Sequence, residues 1–236
     1  MTHIKICIGG TVFGITSRFV KTLVLSEKYL TEKASEYEIS VTDGEIERVK
    51  KALPSVDDVR AEEIVIRDKV NDVLLRTGRA TIHAAAVAVR GSCFLFAAHS
   101  GGGKTTQAKL WKAHFGDDAE IINGDFPLIS FDGDTAYASG TPWCGKECIS
   151  ENKTARIEAV CFIVKSSRNE IRRLGSKEII SKLFDQLIIP SQAGGLMPEC
   201  LAIADKLMKN VPFYELECDI SDEAVTVAYD AMKSGK

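Results

Sequence analysis

The 236-residue chain has no apolar run long enough to cross a bilayer, which leaves no place for a membrane helix. Its start, Met1-Thr2-His3-Ile4-Lys5, lacks the basic opening and long apolar core of an export signal, so the expected compartment is the cytoplasm. Neither charge sign is in large excess. Thirty Lys and Arg face thirty-three Asp and Glu, for a net charge of -3. That balance supplies no general basic field for nucleic acid or an anionic membrane, so neither is an expected partner. The seven cysteines include no C-x-x-C pair. Several sit in apolar strand-like runs (Cys7, Cys93, Cys161), as reduced, buried thiols do. Cys144 and Cys148 are the closest two, and their spacing matches neither a redox motif nor half of a zinc site with a visible partner. Repeats, low-complexity tracts and long linkers are also missing. What remains is the composition of a globular protein, 45% hydrophobic and 27% charged.

The chain is organised around Ala97-Ala98-His99-Ser100-Gly101-Gly102-Gly103-Lys104-Thr105-Thr106. The apolar run Cys93-Phe94-Leu95-Phe96 leads in, and the helical pattern Gln107-Ala108-Lys109-Leu110-Trp111-Lys112 leads out. Strand, glycine-rich loop and helix in that order build a P-loop, whose backbone N–H groups surround a phosphate. The helix N-terminus adds partial positive charge and Lys104 a whole one. Ser100 to Thr106 are therefore the candidate nucleotide-binding residues, with the Thr105 hydroxyl as one ligand for Mg²⁺. Ala98 stands where the usual pattern has its first glycine.

The second metal ligand is expected at the end of a nearby apolar strand. Asp125, after Ala119-Glu120-Ile121-Ile122-Asn123-Gly124, fits that place; the competing reading is an aspartate in an Asn-Gly-Asp bend. His83 precedes the P-loop strand, in an apolar segment read as one strand over 80–89. It is either a proton-handling group or a hydrogen-bonded structural histidine. Trp143 and Lys146 lie in the loop Gly140-Thr141-Pro142-Trp143-Cys144-Gly145-Lys146. They would offer an aromatic wall and a cation to substrate, or else a core tryptophan and a solvated lysine. Arg168, Arg172 and Arg173 read as a solvated basic face at a hairpin.

Residues 3–8 and 11–15 are expected strands around Gly9-Gly10, and 36–42 another. Thr42-Asp43-Gly44-Glu45 is a capping-box pattern opening a helix to Leu53, followed by a helix from Asp57 to Arg76 stopped by Gly78. Hairpin signals flank the P-loop, with Asp132-Gly133-Asp134 the clearest. Ser176 is the expected cap of a helix reaching Leu187, and further helix and strand patterns follow over 197–209 and 213–218. Strand and helix do not alternate strictly, so the expected fold is α/β with α+β character: a mixed, largely antiparallel sheet. Residues 1–78 are expected to form a small α+β region packing on a P-loop domain of residues 79–236.

The order His83, hairpin, Ser100-Gly101-Gly102-Gly103-Lys104-Thr105, then Asn123-Gly124-Asp125 resembles the HPr kinase and phosphoenolpyruvate carboxykinase superfamily. The Gly140 to Lys146 loop narrows this to small HPr-kinase-like proteins of bacteria. The resemblance spans about residues 80 to 218. It implies ATP and Mg²⁺ as cofactors, Lys104 on the β/γ-phosphates, Thr105 and Asp125 on the metal, and His83 near the γ-phosphate. It implies a kinase whose acceptor is a hydroxyl of a peptide, a protein or a small molecule. No match to the carrier-handling segment of the bifunctional enzymes is visible, so HPr itself is not the expected acceptor. The family often has two adjacent aspartates after the strand, the first serving as base, and here that position is Gly124. The other reading is therefore a nucleotide-binding regulatory or scaffold protein with little chemistry. Self-association into a homo-oligomer is left open.

Overall fold

The structure is a computed structural model, and it describes residues 1–190 and 195–235. The chain begins with a hairpin of β1 (Thr2–Ile8) and β2 (Thr11–Ser17). Gly9 (φ +53°) and Gly10 (φ +87°) make the left-handed two-residue turn that matches strand twist. β3 (Tyr37–Ser40) joins β2 in parallel. Between them lies α1 (Val20–Ser26), which no periodicity announced. At the start of α2 (Asp43–Ala52) the Thr42 N–H donates to the Glu45 carboxylate at 2.9 Å, the return half of the expected capping box. α3 (Asp58–Arg76) is capped by Asp57, whose carboxylate accepts the Arg60 N–H at 2.8 Å, and Gly78 turns the chain away at φ +75°. α3 lays Ala61, Val65, Ile66, Val70 and Leu74 on Ile6, Ile8, Phe13 and Ile15 of the small sheet, and Leu128 and Trp143 enter the same cluster.

The larger sheet contains nine strands: β4 (Ala80–Thr81), β5 (Ala84–Val89), β6 (Ser92–Ala97), β7 (Ala119–Asn123), β8 (Leu128–Asp132), β9 (Thr135–Ser139), β10 (Thr154–Lys165), β11 (Glu170–Arg173) and β12 (Phe213–Cys218). Their order is β4-β8-β9-β10-β6-β5-β7, with β12 beside the second half of β10 and β11 beside β12. Only the pairings of β10 with β6 and with β12 are parallel. The sheet is thus mixed and largely antiparallel, as expected. Both faces are covered. Along β6, Phe94 and Phe96 point to the layer of α4 (Lys104–Phe115) and α7 (Asp222–Ser234). Cys93, Leu95 and Ala97 point to the layer of α5 (Ser176–Phe184) and α6 (Met197–Asn210). A strand buried on both sides must be apolar at every position, which is why this segment shows a continuous run and not an alternation.

Three expectations are corrected. The segment 80–89 is not one strand: it breaks at Ile82 and His83, because the chain changes partners there. Ala80 and Thr81 pair with β8, whereas Ala84 onward pairs with β6 and β7. In the break, the Ile82 N–H goes to the Pro127 carbonyl at 3.1 Å and the His83 N–H to the Gln186 carbonyl at 2.7 Å. The arginines near 170 do not flank a hairpin, since β11 pairs with β12, and Arg172 ion-pairs with Glu178 and Glu215. Ser176 is the first helical residue rather than the cap, which is Gly175, and that helix ends at Phe184, releasing Gln186 and Leu187 toward Ile82 and His83.

Trp111 is fully buried, with its ring centroid 4.9 Å from both Phe94 and Phe96. Trp111→Ala should lower unfolding free energy by about 3–5 kcal/mol in urea melts. A loss below about 1 kcal/mol would mean that α4 does not lean on the sheet through this face.

Candidate active site at the P-loop

Strand direction assembles the site. β5 runs antiparallel to both β6 and β7, so β6 and β7 run the same way. The residues that follow β6, follow β7 and precede β5 therefore meet at one end of the sheet. Those residues include Lys104, Asp125 and His83. Lys104 Nζ lies 2.9 Å from His83 Nε2 and 3.7 Å from Asp125 Oδ1, and His83 Nε2 lies 3.1 Å from the same carboxylate oxygen. His83 Nε2 thus faces a donor and an acceptor together. With Nε2 bare, it accepts a hydrogen bond from Lys104; with a proton on Nε2, it donates one to Asp125. The three side chains form a short relay of polar groups.

The loop that carries Lys104 is held by its glycines. Gly101 and Gly103 have φ of +76° and +108°, conformations that side chains disfavour. Gly102 is required for space: a Cβ there would come within 2.6 Å of the Ala98 Cβ and 2.8 Å of the His99 carbonyl oxygen. The alanine at the loop's first position is therefore accommodated by the missing side chain at Gly102, whose N–H donates to the His99 carbonyl at 2.8 Å. Lys104 opens α4 and folds back, donating to the Ala98 carbonyl at 3.3 Å. Burial lowers its amine pKa, and neighbouring Asp125 raises it by less. A cavity of about 370 Å³ lies outside this loop, lined by Gly101 to Gln107, Ile163, Lys165 and the 218–220 segment.

Asp125 is aimed by Asn123, which is fully buried at the end of β7. The Asn123 side-chain oxygen accepts the N–H groups of Asp125 (2.8 Å) and Phe126 (2.7 Å). Its amide nitrogen donates to the carbonyls of Thr141 (3.0 Å) and Trp143 (3.2 Å). One side chain therefore fixes both the Asp125 bend and the 140–146 loop behind it. Ser150 reinforces that loop by donating to the Thr141 carbonyl at 2.6 Å, and Tyr29 of the N-terminal region hydrogen-bonds to Ser150. Gly145 (φ +70°) packs directly on Asp125; a Cβ there would lie 2.8 Å from Oδ2. A Cβ on Gly124 would sit 3.5 Å from the carbonyl oxygens of Cys144 and Ile149.

Trp143 is buried in the core cluster with the small sheet, and Lys146 is exposed on the turn. Ser100 is exposed on the loop; in the first turn of α4, Thr105 is partly buried and Thr106 is exposed. Sequence reading missed three supporting groups. Phe126 stacks on His83 at 5.5 Å and 28°, and the Arg67 guanidinium lies 5.1 Å from the Phe126 ring centre. With its amide nitrogen turned toward the loop, Gln186 donates to the His83 and Ala98 carbonyls at 3.2 Å each. Gln186 gives no signal, because it falls inside a segment read as helix, and Phe126 and Arg67 match no motif. A larger cavity of about 780 Å³ opens between α2 and α3, and Arg67 and Pro190 form part of its lining.

Thr105 and Asp125 offer a hydroxyl and a carboxylate, hard oxygen donors of the kind Mg²⁺ takes when most of its remaining ligands are waters and phosphate oxygens. No cluster of three or more His, Cys, Asp or Glu fit to cage a metal occurs among the described residues. The donor set therefore fits a metal shared with a phosphate and not a closed protein cage. No helix among the described residues is long and apolar enough to cross a membrane.

No family model matches the chain, and no curated protein does. Among solved structures, the chain is similar to the Hpr(Ser) kinase/phosphatase from Coxiella burnetii, with 9% identity and a TM-score of 0.37 over 66% of this chain and 97% of that one. The likeness is one of distant shape, and the chemistry has to be read from the residues.

Asn123→Ala would leave the part-buried Asp125 and Phe126 N–H groups without their acceptor and take one donor from each of the Thr141 and Trp143 carbonyls, which keep the Ser150 and Thr141 hydroxyls. The expected loss is roughly 2–4 kcal/mol of unfolding free energy by chemical denaturation. Stability within about 0.5 kcal/mol of wild type would remove Asn123 as the anchor of the Asp125 bend.

Proposed function

We propose that the chain is an ATP- and Mg²⁺-dependent phosphotransferase that moves the γ-phosphate to a hydroxyl of a peptide, a protein or a small molecule. The observation that carries this reading is the meeting of Lys104, His83 and Asp125 at the mouth of a glycine-rich loop. In it, the backbone N–H groups of Ser100 to Thr106 hold the phosphates. Lys104 exchanges the Ala98 carbonyl and His83 for phosphate oxygens. Asp125 and Thr105 would hold Mg²⁺, which when bound neutralises phosphate charge. An acceptor hydroxyl beside His83 gives its proton to the His83–Asp125 pair as its oxygen bonds to phosphorus and ADP leaves. Arg67, in the lining of the cavity between α2 and α3, connects to His83 through Phe126, while His83, Lys104 and Asp125 do not line that cavity.

A second reading, a nucleotide-binding regulatory protein without transfer, is favoured by the bend itself. Gly124 holds no carboxylate, and the carbonyls of Cys144 and Ile149 flank the direction in which one would point. Two variants separate the readings. Lys104→Ala should weaken ATP binding about 10- to 100-fold by calorimetry, the loss of a charged hydrogen bond. Asp125→Asn should bind metal-free ATP within a few-fold of wild type and lose phosphate transfer to an acceptor. Wild-type binding by Lys104→Ala would remove the site from this loop. Tight binding by the wild-type chain with no transfer across a broad acceptor screen would favour the second reading.

The lowered pKa of Lys104 adds a proton-linked expectation. Polyphosphate beside the amine raises its pKa again, so binding in alkaline buffer should take up a proton, and uptake should fade as pH drops below the lowered pKa. Calorimetry in buffers of different ionisation enthalpy reads this directly. Uptake that persists in Lys104→Met would assign the proton to another group.

A further inference from the structure

The Cys144–Cys148 pair has no part in the reading above, yet it stands directly behind Asp125. Cys144 precedes the turn 145–148 and Cys148 closes it. Cys144 is buried and Cys148 is exposed; both are free thiols, and Cys148 is near enough to help push the Cys144 thiol up. Cys148 holds a left-handed backbone (φ +50°), uncommon for a residue with a side chain, and this turns its sulfur back over the turn, 3.7 Å from the Gly145 carbonyl oxygen. Gly145, inside that turn, is the residue packed on the Asp125 carboxylate. Glu147, also inside it, ion-pairs with Lys109 on α4, the helix that Lys104 opens. The turn thus touches the site from two sides, with one thiol before it and another at its close.

We infer that Cys144 and Cys148 form a reversible disulfide that moves the 145–148 turn against Asp125, a modification site built into the back wall of the active site. A small-molecule disulfide is the oxidant. The exposed Cys148 thiolate attacks one of its sulfurs and releases one small thiolate, leaving a mixed disulfide on Cys148. The Cys144 thiol gives its proton to a released thiolate, and its sulfur then attacks the Cys148 sulfur, expelling the second small thiol. Two protein thiols and one small disulfide become one internal disulfide and two small thiols. Burial pushes the Cys144 thiol up to about 12, so the second step is the slow one and the adduct on Cys148 accumulates first. Closing the bond shifts Gly145, and with it the carboxylate that His83 and Lys104 share.

The test uses the full chain with oxidised glutathione as probe, and two readouts that need no nucleotide. Peptide mapping by mass spectrometry should show the glutathione adduct on Cys148 first, then a Cys144–Cys148 disulfide that dithiothreitol reverses. The His83 imidazole resonance, assigned with His83→Gln, should move when the disulfide forms and return on reduction. Cys144→Ser should stop at the Cys148 adduct, and Cys148→Ser should form no internal disulfide and show no shift of His83. Oxidised wild type should also bind Mg-ATP about tenfold more weakly. A stable Cys148 adduct that never passes to Cys144 in wild type, or a disulfide that leaves the His83 resonance in place, overturns the proposal. A disulfide that forms and moves His83 in a chain that binds no nucleotide would leave the proposal standing and overturn the phosphotransferase reading alone.

Discussion

One antiparallel strand decides where the chemistry of this chain sits. β5 lies between β6 and β7 and runs against both, so three chain segments distant in sequence reach the same end of the sheet. His83 arrives before β5, the glycine-rich loop after β6, and the Asn123-Gly124-Asp125 bend after β7. The pairing is secured by apolar contacts on both faces: β5 and β6 alternate side chains between the α4–α7 layer and the α5–α6 layer. Because those layers are close-packed, the sheet end is a firm frame for the side chains mounted on it.

Within that frame, each charged group depends on a neutral one. Lys104 is buried, and its amine is satisfied by the Ala98 carbonyl, His83 and Asp125. A buried ammonium is costly unless it is so partnered. Asp125 points where Asn123 aims it, and Asn123 in turn secures the 140–146 loop, whose back is tied by Ser150 to Tyr29. Through these bonds the N-terminal region, which carries none of the relay groups, has a structural hold on the site. The stack of Arg67, Phe126 and His83 is a second such hold.

Much of this was legible in the sequence, for local reasons. The P-loop is a contiguous pattern, and the strand before it and helix after it follow from a short apolar run and a helical period. The Gly9-Gly10 and Gly133 turns follow from residues that tolerate positive φ. Asp125 and His83 stood out as titratable residues beside apolar segments. What stayed hidden depends on contacts between segments. The break at Ile82 and His83 arises because the chain changes strand partners, which leaves no mark in a run of apolar residues. Gln186 and Asn123 work through buried amides whose partners lie far along the chain or in another loop. Ala98, a flaw in the motif when read alone, is compensated by the bare Cα of Gly102, a relation visible only in three dimensions.

The proposed role of the sheet end formed around β5 is to receive nucleotide phosphates at Lys104. A crystal structure with a non-hydrolysable ATP analogue and Mg²⁺ tests it. The terminal phosphates should lie inside the Gly101 to Thr105 loop, with Lys104 Nζ moved from the Ala98 carbonyl onto them and Asp125 facing the metal beside His83. A nucleotide seated elsewhere, such as the cavity between α2 and α3, with Lys104 still on Ala98 and His83, would contradict it.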